Sequence, residues 1–321
     1  MRIQKANQSL NRCDIAVLVM DALEGITPED GKILEKIQKK QIPCILARNK
    51  CDLLSSFDSP VPLTDSLPDS IHTIRISARN GQGIFELKEM LAASLPVEDK
   101  GRRIVGDLIH PSSLVILVIP IDKAAPKGRL ILPQVQTIRE LLDKKCRVVC
   151  CTTDQIEGTL SSLAAPPKLI ITDSQVFSTV YAQKPAASLL TSFSVLFARY
   201  KGDIDYFVES AAAIGQLRED SRVLIAEACT HAPVGEDIGR VKIPAMLRKR
   251  IGPALRVDVV AGTDFPADLT PYDLVIHCGA CMFNRRHVLS RVAQARAQHV
   301  PMTNYGVAIA YLQGILDKIE Y

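Results

Sequence analysis

Short apolar runs alternate with helical repeats along almost the whole chain. Residues 15–20, 42–47 and 73–76 are continuous aliphatic stretches of strand length, and residues 31–40 and 84–94 place apolar side chains at helical spacing. Residues 78–83, rich in Gly, Asn and Arg, form a turn between the third strand and the second helix. Further strands are expected at 114–119, 147–151 and 169–172, with the clearest helical pattern at 134–144. Amphipathic helices are expected at 189–200 and 204–215, followed by four strand-then-loop pairs at 223–226, 257–260, 274–276 and 300–303. Strands buried on both faces and alternating with helices predict α/β architecture with parallel sheets.

A chain of 321 residues exceeds one ordinary core. Residues 95–103, with Pro96 and a cluster of charges, read as a linker. Three domains are therefore expected, at 1–96, 104–185 and 186–321. The apolar fraction of 47% is ample, and with no Trp and 5% aromatics the cores must be aliphatic. A formal charge of +4 is too small to argue for nucleic acid or a membrane surface. The charged N-terminal residues do not make a signal peptide, and the longest apolar run, 114–121, is too short to span a bilayer. A cytoplasmic protein is expected, and in that compartment nine cysteines suggest metal ligands or redox groups before disulfides.

Two cysteine clusters carry the chemistry. Cys229-Thr230-His231 follows the strand at 223–226, and His277-Cys278-Gly279-Ala280-Cys281 follows the strand at 274–276. Ligands gather at such strand ends in open parallel sheets. A helix beginning near Phe283 would turn its positive end toward Cys278 and Cys281, which favours thiolates. Zinc would be satisfied by four of the five side chains. An iron-sulfur cluster would use the three thiolates and leave one iron for an exchangeable ligand. Spacing alone leaves both metals open. Cys150 and Cys151 alternate faces of one strand and cannot both serve one metal without distortion.

With residues 232–276 filling the gap between CxH and HCxxC, the chain resembles HydF, the family of GTP-binding maturation factors of [FeFe]-hydrogenases. Ile121-Asp122-Lys123, Ala125-Pro126-Lys127-Gly128-Arg129 and Leu132-Pro133-Gln134 are similar to that family's dimer-forming middle domain, and Thr303-Asn304-Tyr305-Gly306 is also family-like. The resemblance implies a [4Fe-4S] cluster on Cys229, Cys278 and Cys281, with His231 and His277 as ligands or supporting donors. Asp122 would complete the coordination, or is a turn residue ahead of Pro126. It also implies a scaffold or carrier for the hydrogenase's diiron precursor, a homodimer, and as partners the hydrogenase apoprotein and radical-SAM maturases. Asn304 and Tyr305 could line the cluster mouth, although a helix start is the plainer reading. The Arg248-Lys249-Arg250 run reads as a solvated face.

Asn49-Lys50-Cys51-Asp52 matches the NKxD pattern of guanine recognition. Asp52 would accept from the base, Asn49 and Lys50 would hold the loop and cover the ring, and Ser77-Ala78 would offer a backbone N–H to the guanine oxygen. The phosphate half, GxxxxGK[ST], is not found. Its nearest approach, Gly25 to Lys32, has five residues between glycines and Ile33 in the hydroxyl position. By resemblance, Met1 falls ahead of the fourth strand of a GTPase domain, so a truncated member is expected, inactive as a GTPase, with an open apolar edge at 15–20. GTP and magnesium would belong to an intact relative. A GTPase acting on RNA and a zinc-stabilised interaction protein are the competing readings.

Overall fold

The computed structural model describes residues 9–10, 13–54, 71–94, 101–121, 128–228, 237–262 and 264–321. It divides into two compact units, Met1–Gly101 and Arg102–Tyr321. Asp122, Cys229 and His231 lie outside the described residues.

In the first unit β1 (Ala16–Asp21), α1 (Pro28–Lys39), β2 (Cys44–Asn49), β3 (His72–Arg75) and α2 (Ile84–Ala93) follow one another. The strands form a parallel sheet in the order β1-β2-β3. The helix at α1 begins earlier than its apolar repeat because of a capping box. Thr27 Oγ1 accepts the Asp30 N–H, Asp30 accepts the Thr27 N–H, and Pro28 opens the first turn. Leu34 and Ile37 of α1 pack with Ile42 and Leu46. At the other end of the sheet, Gly83 docks the turn before α2 against β3. Its φ is 74°, and a Cβ there would come within 2.2 Å of the Arg75 carbonyl, so only glycine fits.

The second unit holds two four-stranded parallel sheets. The first comprises β4 (Leu114–Val118), α3 (Leu132–Asp143), β5 (Arg147–Cys151), α4 (Ile156–Ser161), β6 (Leu169–Thr172), α5 (Phe177–Gln183) and β7 (Leu189–Ser192), in strand order β5-β4-β6-β7. Glu140 of α3, 9% exposed, accepts the backbone N–H groups of Ile104, Val105 and Gly106 and so pins the start of this unit. The helix expected over 189–200 divides. Leu189–Ser192 is an edge strand paired with β6, and α6 (Phe193–Lys201) starts without a loop. Pairing buries Leu190, Thr191 and Ser192, and Ser192 then caps α6 by accepting the Val195 N–H. Tertiary pairing has overridden a helical repeat that continues in register across the junction.

After α7 (Ile204–Ala211) come β8 (Arg222–Ala226), α8 (Ile243–Ile251), β9 (Arg256–Val260), β10 (Leu274–His277), α9 (Arg285–Ala297), β11 (Met302–Asn304) and α10 (Tyr305–Leu312), with strand order β11-β10-β8-β9. The α6 helix is apolar around its circumference. Phe193, Leu196 and Phe197 join the core on one face of the β4 sheet, while Val195 and Ala198 join a core shared by both sheets of this unit. Each fully buried Val, Leu or Phe among them contributes roughly 1.5–3 kcal/mol. The helix is thereby fixed along its length, which matters for what its last residue holds.

Candidate metal and nucleotide sites

The third sheet places its chemistry at a switch point. From β8 the chain leaves toward β9 on one side, and from β10 toward β11 on the other, so the ends of the two central strands border one crevice. Ala226 pairs with His277 at that edge, and the ladder continues through the Cys278 N–H to the Ala226 carbonyl at 3.0 Å. The Cys278 sulfur accepts the backbone N–H of Ala228 at 3.0 Å and that of Ala280 at 3.4 Å. Ala228 directly precedes Cys229 in the chain. A sulfur receiving two amide hydrogen bonds is suited to the thiolate form and to ligation of an anionic cluster. The donor set at Cys278 therefore fits the group that the resemblance implies. Among the described residues, no group of three or more His, Cys, Asp or Glu is close enough to hold a metal.

Between the two cysteines the chain turns sharply. Ala280 adopts φ 47° while 1% exposed, and its carbonyl accepts the Phe283 N–H at 3.0 Å. A left-handed alanine is uncommon, and buried neighbours hold it there. The helix expected to begin near Phe283 starts at Arg285, because Asn284 caps it through the His287 N–H. Cys281 borders a cavity of about 690 Å³, enclosed by the first turn of α3, the segment 173–175, α6, the CxxC loop and α10.

His277 is not turned toward that crevice. It is wholly buried as the last residue of β10, and its Nε2 accepts from Arg291 at 3.0 Å. Since a guanidinium cannot accept, Nδ1 carries the proton and donates to the Cys278 carbonyl at 2.6 Å. Burial, and secondly the Arg291 charge, push its pKa down to about 3, so the ring is neutral. With both nitrogens engaged, His277 orients the Cys278 peptide and has no lone pair left for a metal. Of the two roles that the resemblance left to it, ligand or supporting donor, this geometry favours the second.

The TNYG segment fills two roles. Asn304 accepts the Gly306 N–H as the cap of α10, and its Nδ2 also approaches the Cys278 carbonyl at 3.5 Å. Tyr305 borders the cavity, and burial, then the Cys278 sulfur and Glu227, raise its pKa, so the phenol stays protonated. The basic run at 248–250 is exposed on α8, as a solvated face should be. Cys150 is exposed and Cys151 buried, on alternate faces of β5.

Sequence reasoning missed several residues around the crevice. Glu227, 5% exposed, is paired with Arg240 at 2.9 Å, and only its place beside Ala228 and Cys229 hints at it. Arg291 also reaches the Gly262 carbonyl and lies over the Phe265 ring. Lys201 and Arg285 hold the CxxC loop and α9 against α6. Nothing in the local sequence marks these three.

In the first unit, the NKxD residues and Ser77-Ala78 lie side by side at the ends of β2 and β3. Asn49 ends β2, and its Oδ1 accepts the Ala78 N–H at 2.9 Å. Ser77, fully buried, donates to the Asp52 carboxylate at 2.6 Å and fixes its orientation. Lys50, at φ 69°, pairs with Asp21 at 2.6 Å, and this contact holds the Asp21 carboxyl below its usual range. Gly25 serves a turn closed on the Asp21 carbonyl, while Gly31 and Lys32 lie inside α1. Those residues are spent on a turn and a helix and cannot form a phosphate loop.

Comparison with known proteins matches the chain in three consecutive blocks. Residues 3–97 match the GTP binding domain of elongation factor Tu, residues 104–202 the dimerization domain of hydrogen maturase F, and residues 205–320 its tetramerization domain. GTPase Der of Rickettsia bellii (strain OSU 85-389) is 28% identical over 116 residues, and GTPase Der of Rickettsia rickettsii (strain Sheila Smith) 30% identical over 116 residues. Each alignment covers 36% of this chain, which spans about a quarter (25%) of the length of these curated relatives. No described helix is long and apolar enough to cross a membrane. Its two hydrogen maturase F blocks, joined to a GTP-binding block in one chain, make this protein a member of the HydF family of hydrogenase-maturation GTPases.

Proposed function

We propose that the protein is a scaffold in [FeFe]-hydrogenase maturation, carrying a [4Fe-4S] cluster on Cys229, Cys278 and Cys281 and self-associating through its middle domain. The three domains are taken as expected at 1–96, 104–185 and 186–321, save that β7 (Leu189–Ser192) goes with the middle one, because it pairs with β6. The observation that carries the reading is the hydrogen bond from the Ala228 N–H to the Cys278 sulfur, which ties the segment leading to Cys229 to the CxxC half of the site. A four-iron cluster held by three thiolates supplies one site of exchangeable coordination. The chain's own residues then have defined tasks. Cys278 and Cys281 ligate, the amides of Ala228 and Ala280 stabilise the Cys278 thiolate, and His277 orients the Cys278 peptide. Asp122 or His231 stands as the candidate to complete the coordination, and the cavity beside Cys281 gives a cargo room next to the cluster. The partners in this reading are the hydrogenase apoprotein and the radical-SAM maturases.

Guanine recognition by Asn49, Lys50, Asp52, Ser77 and Ala78 is proposed to regulate delivery in relatives that also carry a phosphate loop. An RNA-acting GTPase is not favoured, because the similarity to Der covers 36% of the chain and the rest matches hydrogen maturase F. Anaerobic reconstitution tests the main reading. About four irons per chain are expected, with Cys278→Ala abolishing uptake. Preferential retention of zinc under the same conditions would overturn it.

A further inference from the structure

The CxxC loop is held from outside its own sheet. Lys201, the last residue of α6, is 8% exposed, and its ammonium donates to the carbonyls of Ala280 at 2.9 Å, Cys281 at 2.9 Å and Phe283 at 2.8 Å. An ammonium has three N–H groups, and each has an acceptor on this one loop. Arg285, the first residue of α9, answers from the end of the loop. Its guanidinium donates to the Gly202 carbonyl at 2.8 Å and the Tyr200 carbonyl at 3.3 Å, closing the C-terminal end of α6. Two cations thus stitch one helix end to one loop, and α6 itself is immobilised by the cores on both its faces.

We infer that Lys201 is the positioning residue of the cluster site, holding the CxxC loop in its ligating form before loading and placing a fixed positive charge beside the cluster afterwards. The inference rests on the cluster-binding reading for its second half only. Because N–H and C=O are antiparallel in a trans peptide, drawing the Ala280 and Cys281 carbonyls to Lys201 turns the N–H groups of Cys281 and Met282 away from α6. Ordering the loop in advance removes an entropic cost from metal uptake. A thiolate-bound cluster becomes more negative when reduced, and a buried cation nearby favours that reduced form.

Lys201→Met removes both donors and charge, Lys201→Gln keeps two of the three N–H donors without charge, and Lys201→Arg keeps charge. In the iron-free protein, amides 279–283 of Lys201→Met should exchange about tenfold faster or more than in the wild type, while global unfolding stays cooperative. In the reconstituted protein, chelator should strip iron fastest from Lys201→Met. The reduction potential should fall in the Met and Gln variants and stay near the wild-type value in Arg. Unchanged loop exchange in a folded Lys201→Met overturns the positioning role, and equal potentials in Gln and Arg overturn the electrostatic one. Should Lys201→Met not fold, loop exchange in Lys201→Ala, which likewise lacks donors and charge, decides in its place. If the wild-type protein takes up no iron, the scaffold reading fails while the exchange measurement still decides whether Lys201 orders the loop.

Discussion

Arg291 and His277 form a buried donor–acceptor pair whose members depend on each other. Arg291 is 3% exposed and satisfies both the imidazole and the Gly262 carbonyl. Removing it leaves two buried acceptors stranded, which costs far more than one ordinary hydrogen bond. Arg291→Met should therefore destabilise the second unit by about 2–3 kcal/mol, measured by chemical denaturation of the iron-free protein. A loss within about 0.5 kcal/mol would show that the pair does not hold the β10 terminus. The choice between ligand and supporting donor for His277 could not be made in sequence for a simple reason. A histidine beside a cysteine scores as a ligand, and the arginine that occupies its ring nitrogen is fourteen positions on, in a different element. By contrast, the neighbourhood of Asn49, Asp52 and Ser77 was legible, because two short contiguous motifs follow the ends of two adjacent strands.

Among the elements, β1 stands at an edge of its sheet and leaves Val17 and Val19 38% and 55% exposed. An edge strand carrying exposed β-branched side chains invites pairing between chains. Val19→Lys should reduce concentration-dependent light scattering with a stability change within about 0.5 kcal/mol, and scattering equal to the wild type would absolve this strand. That the edge is apolar was visible in the run at 15–20, as was the α/β class, because the central strands, buried on both faces, read as unbroken aliphatic stretches. The β7–α6 junction was not visible. Leu189 to Tyr200 keeps one helical repeat throughout, and only the neighbouring β6 decides where strand gives way to helix. Lys201 was equally hidden, since its partners lie some eighty positions away and are carbonyls, which leave no trace in side-chain identity.

For the whole molecule, the decisive question is what survives when the site is emptied. The switch-point crevice is built from strand pairing, the His277–Arg291 pair, the Lys201 clamp and the Asn304 cap, none of which uses a metal. Chelation of the reconstituted protein should therefore leave its far-ultraviolet circular dichroism unchanged, with a lowered melting temperature set by the lost binding energy. Collapse of the spectrum on chelation, as in a metal-nucleated finger, would contradict this architecture. The left-handed Ala280 bears on the same point. A strained turn held by its buried surroundings keeps its shape without a bound group, so in the proposed scaffold the site would act as a dock with permanent moorings, open to repeated arrivals and departures without the harbour being rebuilt.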